Sequence, residues 1–445
     1  MISFAPRAFL LGVVASLALA VPAQAETKIE RVVSPGGIEA WLVSDPSVPL
    51  IAMNFAFRGG ANQDPPGKPG VAYMAAALMD EGAGDLDAKA FQARAERNAV
   101  ELSFSAHRDD TRGSLKVLKD RQDEGFDLLR LAVTSPRFDQ DAIERVRAQM
   151  LSALRRETTN PNDIGSRLWW RTAFPEHPYG RPTNGTLESV PTIAREDLRD
   201  YTRRVFARDR LNIAVVGDID AKTLGPVLDR IFGALPAKAE LQPVPSAKMD
   251  AVGKKLFVPL DVPQAVVNFG GVGIPRKDPD FIPAYIVNHI LSGGSFSSRL
   301  YREVREKRGL AYSVYSYLLP LDVTALFMGG TQTRADKADE TVGLIESEIR
   351  RLATEGPSAD ELDKAKSYLK GSYPLNFDTS TKIANLLVQI QLDDLGIDYI
   401  DRRNGLIEAV TLEDVKRVAK RLLDGGILVT VVGRPQDANA GKQGG

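Results

Sequence analysis

Residues 70–84 read GVAYMAAALMDEGAG, a run of small and apolar residues that leads into an acidic pair and a glycine-rich exit. The pattern predicts a buried helix over residues 70–79 that ends near the pair Asp80-Glu81. Within that helix only Tyr73 carries a polar side chain, and a phenol is a poor metal ligand. The helix therefore offers packing rather than catalytic groups, and the chemistry of the chain must be sought in other segments.

The sequence on either side of this segment occurs twice. VPLIAMNFAFRGG (48–60) has a counterpart in VPQAVVNFGGVGI (262–274), which pairs Asn54 with Asn268. Anchors with nearly the same separation, spread over most of each half, indicate an internal duplication. The other two matched pairs are IAVVGDID (213–220) with LVTVVGRP (428–435), and REDLRDYTRRVF (195–206) with LEDVKRVAKRLL (412–423).

Strands and helices alternate within each half. In the first half, apolar runs predict buried strands over residues 48–58 and 211–216. Helical spacing predicts long helices over residues 114–133 and 139–156. The order predicts an α+β fold of two homologous halves, each with helices packed on one face of a largely antiparallel sheet.

The N-terminus has the composition of a secretory signal. Arg7 precedes the apolar stretch 8–21, which is shorter than the roughly 20 residues that a membrane span needs, and Ala23-Gln24-Ala25 forms a cleavage site. We therefore predict a cleaved signal peptide, a periplasmic location and no membrane span in the mature chain. The predicted division is a signal peptide over residues 1–25, an N-terminal half over 26–237, a Pro- and Ala-rich linker over 238–254 and a C-terminal half over 255–445.

Composition excludes several classes of function. The chain has no cysteine, so disulfide bonds and thiol catalysis are excluded. Its 57 basic and 58 acidic residues give a net charge of −1, and no long basic run argues for nucleic-acid binding. The three histidines, His107, His177 and His289, show no metal-binding spacing, so we predict isolated structural or surface histidines.

Two further segments point to a family. HPYGRPTNGT (177–186) and SGGSFSSRLYREVREKRGLAY (292–312) resemble the loop H-P-x-G-x-P-x-x-G and the second-half motif G-G-x-x-S-S-R-L-x-x-x-x-R-x-x-x-G-L-A-Y of the M16 (pitrilysin, or inverzincin) metallopeptidases. With the duplication, the resemblance covers nearly the whole mature chain. It implies a mitochondrial-processing-peptidase-like fold, in which two similar halves or subunits enclose a chamber for peptides.

The zinc-binding positions of that family are changed in this chain. The M16 helix reads roughly G-x-A-H-x-x-E-H, and the resemblance places Tyr73, Ala76 and Ala77 at its two His and its catalytic Glu. The third ligand, a Glu from a later helix, falls at Ser152 or Ala153. The resemblance therefore implies that this chain binds no zinc or other cofactor. Glu81 and Glu157 remain nearby in sequence, but two carboxylates without imidazole make a weak zinc site.

The second-half motif retains its functional residues. By resemblance, Arg305 and Tyr312 are the catalytic pair, and Gly293 and Gly294 lie along the peptide path. A phenol can donate a hydrogen bond to a developing oxyanion, and a guanidinium can hold a peptide backbone. An alternative remains open, in which Arg305 lies on the solvated face of an ordinary helix, Tyr312 is a half-buried strand residue and the glycines form a tight turn.

The leading hypothesis is a division of labour between two chains. This chain, inactive alone, would be the non-zinc subunit of a periplasmic heterodimeric M16 metallopeptidase, and a partner subunit would hold the zinc. It would supply Arg305 and Tyr312 for the hydrolysis of peptides. The alternatives are a catalytically inactive scaffold and a self-associating peptide-binding protein without hydrolysis.

Overall fold

The computed structural model describes residues 28–434. The predicted signal peptide lies outside the described residues, as do residues 435–445 of the predicted C-terminal half. Within the described range, none of the helices is long and apolar enough to cross a membrane.

Each half is built around one sheet. The sheet of the first half has six strands, β1 (Glu30–Val33), β2 (Glu39–Ser44), β3 (Leu50–Arg58), β6 (Glu101–Ala106), β7 (Asp110–Leu118) and β8 (Leu211–Gly217). Strands β4 (Gly82–Ala83) and β5 (Leu86–Asp87) form a separate short ribbon. The second, five-stranded sheet contains β9 (Lys255–Pro259), β10 (Gln264–Val272), β11 (Ala311–Leu321), β12 (Thr324–Arg334) and β13 (Leu428–Gly433).

The two sheets have the same topology. The first has the order β1-β2-β8-β3-β7-β6 and the second the order β11-β12-β10-β13-β9, so that β2, β8, β3, β7 and β6 correspond to β9, β13, β10, β12 and β11. In both sheets one pair is parallel, β2 with β8 and β13 with β9, and the other pairs are antiparallel. The repeated asparagines hold equivalent positions, since Asn54 lies opposite Ala214 and Asn268 opposite Thr430. The predicted duplication and α+β fold are confirmed.

Most helices cover one face of each sheet. Alternate residues of β3, such as Met53, Phe55 and Phe57, point to that face and are fully buried against helices of the first half. The helices are α1 (Val71–Leu78), α2 (Ala88–Arg97), α3 (Gln122–Thr134), α4 (Gln140–Glu157), α5 (Pro161–Ala173), α6 (Arg195–Val205), α7 (Ala221–Phe232), α8 (Phe281–Asn288), α9 (Ala338–Glu355), α10 (Ala359–Gly371), α11 (Ser380–Leu392), α12 (Tyr399–Glu408) and α13 (Leu412–Leu423).

The opposite face of each sheet is covered by a helix from the other half. Helix α5 of the first half packs on β10 and β13, where Trp169 is fully buried and its Nε1 donates to the Leu428 carbonyl over 3.1 Å. Helix α11 of the second half packs on β3 and β8 in the equivalent way, and Gln391 Nε2 donates to the Ile213 carbonyl over 2.9 Å. This reciprocal exchange joins the two halves through two buried apolar layers.

One predicted helix is wrong. Residues 114–133 contain the end of strand β7, which stops at Leu118, and helix α3, which begins at Gln122. Leu115 and Val117 are buried while Leu118 is 46% exposed, which is the two-residue period of a strand. The helical spacing of α3 concealed this boundary, because the two periods follow each other without a glycine or proline between them.

The segment between the halves, residues 238–254, contains no helix or strand. It contacts both halves: Gln242 N donates to Gln63 Oε1 over 2.7 Å, and Ala247 N donates to the Val323 carbonyl over 3.1 Å. The extended segment therefore lies against both halves and adds hydrogen bonds to each.

Asp64 fixes the N-terminus of α1. Its buried carboxylate accepts hydrogen bonds from Gly70 N over 2.7 Å and from Ala72 N over 2.8 Å. Burial raises the pKa of the Asp64 carboxyl to about 7, although these bonds and the nearby Arg181 act in the opposite direction. The start of the helix thus depends on a buried group that titrates near neutral pH.

Replacement of Asp64 by Ala should lower the free energy of unfolding by about 1–3 kcal/mol, because buried backbone N–H groups lose their acceptor. Because the folded pKa lies above the unfolded value of 3.8, the folded chain retains a proton that the unfolded chain releases. The contribution of Asp64 should therefore be fully present below pH 3.8 and be lost as the pH rises to about 7. Urea unfolding of the wild type and of Asp64→Ala measures the loss of stability, and the same experiment on Asp64→Asn across this pH range measures the titration. An unfolding free energy of Asp64→Ala equal to that of the wild type, or equal pH slopes for the wild type and Asp64→Asn, would contradict the prediction.

Candidate functional site

Helix α1 presents one polar side chain at the positions where the M16 family holds zinc. Tyr73 is 42% exposed and lines a surface pocket of about 300 Å³. Ala76 is buried, and Ala77 packs against the core of the first half. Neither alanine can bind a metal, so the helix contributes at most a phenol to this pocket.

Helix α4 lacks the third ligand. Ser152 is exposed and Ala153 is half-buried. Glu157, one turn further along, lines the pocket of Tyr73, but its carboxylate accepts from Arg167 Nη2 and, over 2.8 Å, from Asn184 Nδ2. The described residues contain no group of three His, Cys, Asp or Glu side chains that could hold a metal ion. The groups at this position do not fit zinc, and the chain has no zinc site there.

The three histidines are separate. His107 is exposed, and its Nε2 lies 3.4 Å from Ser105 Oγ. His177 contacts the Pro245 carbonyl over 2.9 Å. His289 is buried and stacks on Tyr368, with 5.0 Å between ring centroids, and burial lowers the pKa of the His289 imidazole. Each ring has a local structural contact, as the sequence predicts.

The triple substitution Tyr73→His, Ala76→Glu, Ala77→His should yield a chain that binds no stoichiometric zinc and has no peptidase activity. It restores two imidazoles and a base, but Ser152 and Ala153 still provide no third ligand. Metal analysis after dialysis checks this, with circular dichroism as a control for folding because Ala76 is buried. One tightly bound zinc per chain with peptidase activity would refute the ligand alignment.

The structure brings Arg305 and Tyr312 together. The Arg305 guanidinium lies 4.3 Å from the centre of the Tyr312 ring and 5.0 Å from that of Tyr301, within the range of a cation–π contact. Arg305 is carried by the π-helical turn Tyr301–Glu306, not by an ordinary α-helix. Such turns are frequent at functional sites because they redirect side chains that a regular helix would align.

Tyr312 is placed by a β-bulge in edge strand β11. The pairing with β12 passes from Ala311 opposite Thr333 to Val314 opposite Thr331, so Tyr312 and Ser313 together face one residue. The bulge turns Tyr312 outward, where it is 80% exposed rather than half-buried. Its ring borders a pocket of about 360 Å³.

Arg305 differs from the basic residues around it. Lys307 and Arg308 both pair with Glu303 over 2.6 Å, and Arg302 lies 3.7 Å from Glu361. Among residues 28–434, the Arg305 guanidinium has aromatic contacts but neither an ion pair nor a hydrogen bond. Its donors are therefore available to a ligand, unlike those of a solvated helix face whose charges pair internally.

Gly293 ends the π-helical turn His289–Gly293, and Gly294 follows it. A Cβ atom on Gly294 would lie 2.9 Å from the His289 ring, and one on Gly293 would lie 2.9 Å from Asn288 Nδ2, so close packing explains both glycines. The preceding residue, Ser292, donates to the Val314 carbonyl over 3.2 Å. This bond attaches the glycine segment to β11 beside the bulge that carries Tyr312.

The sequence interpretation missed a group of residues around Tyr73. Arg108, Trp170 and Arg181 line the same pocket, and the Arg108 guanidinium lies 3.6 Å from the centre of the Trp170 ring. Arg181 belongs to the family loop HPYGRPTNGT, and this motif could have indicated that Arg181 lies near the site. No sequence signal marks Arg108, whose importance arises from its position.

Comparisons with known proteins agree with this geometry. Residues 40–187 match the family model for insulinase (peptidase family M16), and residues 192–369 match the model for the peptidase M16 inactive domain. A relative from Helicobacter pylori, described as a non-peptidase homolog, is 28% identical over 84% of this chain and 86% of its own length.

Two further matches extend over much of the chain. An uncharacterized zinc protease from Mycobacterium tuberculosis is 30% identical over 67% of this chain and 68% of its own length. The crystal structure of a peptidase M16 inactive domain from Pseudomonas fluorescens has a TM-score of 0.85 and 27% identity, and the match covers 92% of this chain and 98% of that one. The motifs, the duplicated fold and these matches establish that this chain belongs to peptidase family M16.

Proposed function

We propose that this chain is the non-zinc subunit of a heterodimeric M16 metallopeptidase in the periplasm, where it completes the peptide-cleaving site of a zinc-bearing partner. One observation carries the proposal: Arg305 and Tyr312 stand together with free donors, while the zinc positions are occupied by Tyr73 and alanines. A chain that served only as a structural relic would have no chemical need for this pair.

The pair suits the charge that develops during peptide hydrolysis. As water adds to the scissile carbonyl, negative charge grows on its oxygen, and a preorganised hydroxyl can stabilise it. Tyr312 is exposed on the bulge of β11, so its phenol can reach an oxygen presented from a facing surface. The Arg305 donors can hold the peptide backbone beside it, and stacking on two tyrosine rings limits their motion.

A second candidate is an inactive scaffold or peptide-binding protein. The description of the Helicobacter pylori relative as a non-peptidase homolog favours it. A scaffold would assemble with other chains or bind peptides without changing the rate of any hydrolysis. The two candidates therefore differ in whether Arg305 and Tyr312 affect turnover in an assembled complex.

Titration of the mature chain into a zinc-bearing M16 subunit from the same organism tests the proposal. We expect peptidase activity to rise and to reach a plateau at equal amounts of the two chains, with a matching heterodimer in analytical ultracentrifugation. Fractionation of cells should find both chains in the periplasm. A stable complex whose peptidase activity equals that of the partner alone would favour the scaffold.

A further inference from the structure

The pocket at the missing zinc positions contains two arginines whose guanidinium groups lie outside ion-pair distance of any carboxylate within residues 28–434. Arg108 and Arg181 both line it, and in the described part of the chain neither guanidinium forms an ion pair or a hydrogen bond. The third arginine of the pocket, Arg167, is engaged with Glu157. Asp64 lies near Arg181 and Asp109 lies near Arg108, but neither carboxyl is within ion-pair distance, so the guanidinium donors remain available to a ligand.

Arg108 is the less usual of the two. Its Nε atom is buried without a hydrogen-bond partner, and its guanidinium is stacked on Trp170. Burial lowers the pKa of Arg108 to about 10, so it still carries its charge at neutral pH. The neighbouring Asp109 carboxylate is already occupied, because it accepts from Tyr179 Oη over 2.7 Å and from Asp322 N over 3.0 Å.

Such an arrangement is unfavourable without a ligand. Arg108 is half-buried, and a charge that is partly withdrawn from water without a partner lowers the stability of the folded chain. The stacked guanidinium is, however, already oriented, and its fork of N–H donors matches the two oxygens of a carboxylate. Of the two acidic residues of the pocket, Glu157 is already paired with Arg167. Burial raises the pKa of the other, Asp163, whose carboxyl forms no ion pair with either arginine in the described chain.

The position of the pocket relative to Tyr312 indicates the kind of ligand. The first turn of α5 separates the two pockets: Asn162 lines the pocket of Tyr312, and the next residue, Asp163, lines the pocket of Arg108. A peptide that lies across this turn can contact both. The pocket volume of about 300 Å³ accommodates the end or one side chain of such a peptide.

We propose that the pocket at the lost zinc position binds a carboxylate of a peptide ligand through Arg108 and Arg181. The two arginines at the lost metal site would thus hold the peptide ligand by its carboxylate. The inference rests on the proposed function only in taking a peptide as the ligand. It concerns this chain without its partner, so its failure would leave the role of Tyr312 untouched.

Isothermal titration calorimetry on the mature chain alone tests the binding. The probes are acetyl-Ala-Ala-Ala with a free C-terminal carboxylate, the same peptide as its C-terminal amide, and acetyl-Ala-Glu-Ala amide. We expect one or both carboxylate peptides to bind at least about tenfold more tightly than the neutral amide, since hydrogen bonds to charged groups are worth this much. The acid that binds better identifies a terminal or a side-chain carboxylate as the source.

Arg108→Gln and Arg181→Gln should each lower the affinity for the carboxylate peptide about 10- to 100-fold. Arg171→Gln is the matched control, because Arg171 is exposed on the same helix as Trp170 and does not line the pocket. Arg108→Gln also removes the contact with the Trp170 ring, so circular dichroism first checks that this variant folds. If this variant fails to fold, Arg181→Gln carries the test.

Three results would overturn the proposal. The first is equal affinity for the acids and the neutral amide. The second is full affinity in Arg181→Gln and in a folded Arg108→Gln. The third is binding of inorganic phosphate without binding of either carboxylate peptide, because the pocket would then select a different oxyanion.

Discussion

Replacement of Tyr312 by Phe should lower the turnover of the assembled peptidase about 10²- to 10³-fold, the usual cost of removing one oxyanion donor. The substitution removes only the hydroxyl, so the ring remains available to Arg305, whose guanidinium lies 4.3 Å from its centre. Assembly should be unchanged, as should the thermal stability of the chain, because Tyr312 is 80% exposed. Steady-state kinetics at saturating peptide, with sedimentation as the assembly readout, measure the effect.

Tyr317→Phe is the matched control for this experiment. Tyr317 lies on the same strand and is also exposed, at 42%, but does not line the pocket of Tyr312. Loss of the Tyr317 hydroxyl should leave turnover within about twofold of the wild type, since surface substitutions away from a site have small effects. Equal turnover for Tyr312→Phe and Tyr317→Phe would remove the oxyanion role.

Replacement of Arg305 by Gln should raise KM about 10- to 100-fold, because charge-assisted hydrogen bonds to the peptide are lost. The turnover number should change much less, since a group that holds the backbone binds the ground state and the transition state alike. Initial rates across a wide range of peptide concentrations separate the two parameters. A loss confined to the turnover number would instead place Arg305 at the reacting carbonyl.

Arg308→Gln controls for the removal of a positive charge. Arg308 lies three residues from Arg305 but pairs with Glu303 over 2.6 Å, so its charge is satisfied within the chain. Lys307 also pairs with Glu303, so the carboxylate keeps a partner in this variant, and KM should stay near the wild-type value. An equal rise in KM for both variants would show that only the overall charge of the helix matters.

The sequence predicted the architecture more fully than the contacts between the halves. Asn54 and Asn268 occur in matched segments, and the structure places them at the same register of equivalent strands. The exchange of α5 and α11 was not predictable, because the spacing of apolar residues shows that a helix has a buried face but not which sheet covers it. Trp169, for example, is buried against a strand far away in the sequence.

The candidate site was predicted by the M16 family motif and not by the periodicity of the apolar residues. Periodicity alone would place Arg305 on an ordinary helix and Tyr312 in a regular strand. The π-helical turn and the β-bulge break both periods, and these breaks bring the two side chains together. Arg108 was not found, because a buried charge becomes informative only when its lack of partners is known.

The most direct test measures bound zinc and peptidase activity for the mature chain alone and for its mixture with a zinc-bearing M16 subunit. We expect no zinc and no activity for the chain alone, and strong stimulation of the partner with one zinc per heterodimer. Zinc-dependent peptidase activity from the chain alone would contradict the assignment of Tyr73, Ala76, Ala77 and Ala153 as lost zinc-site positions, and with it the division of labour between two subunits.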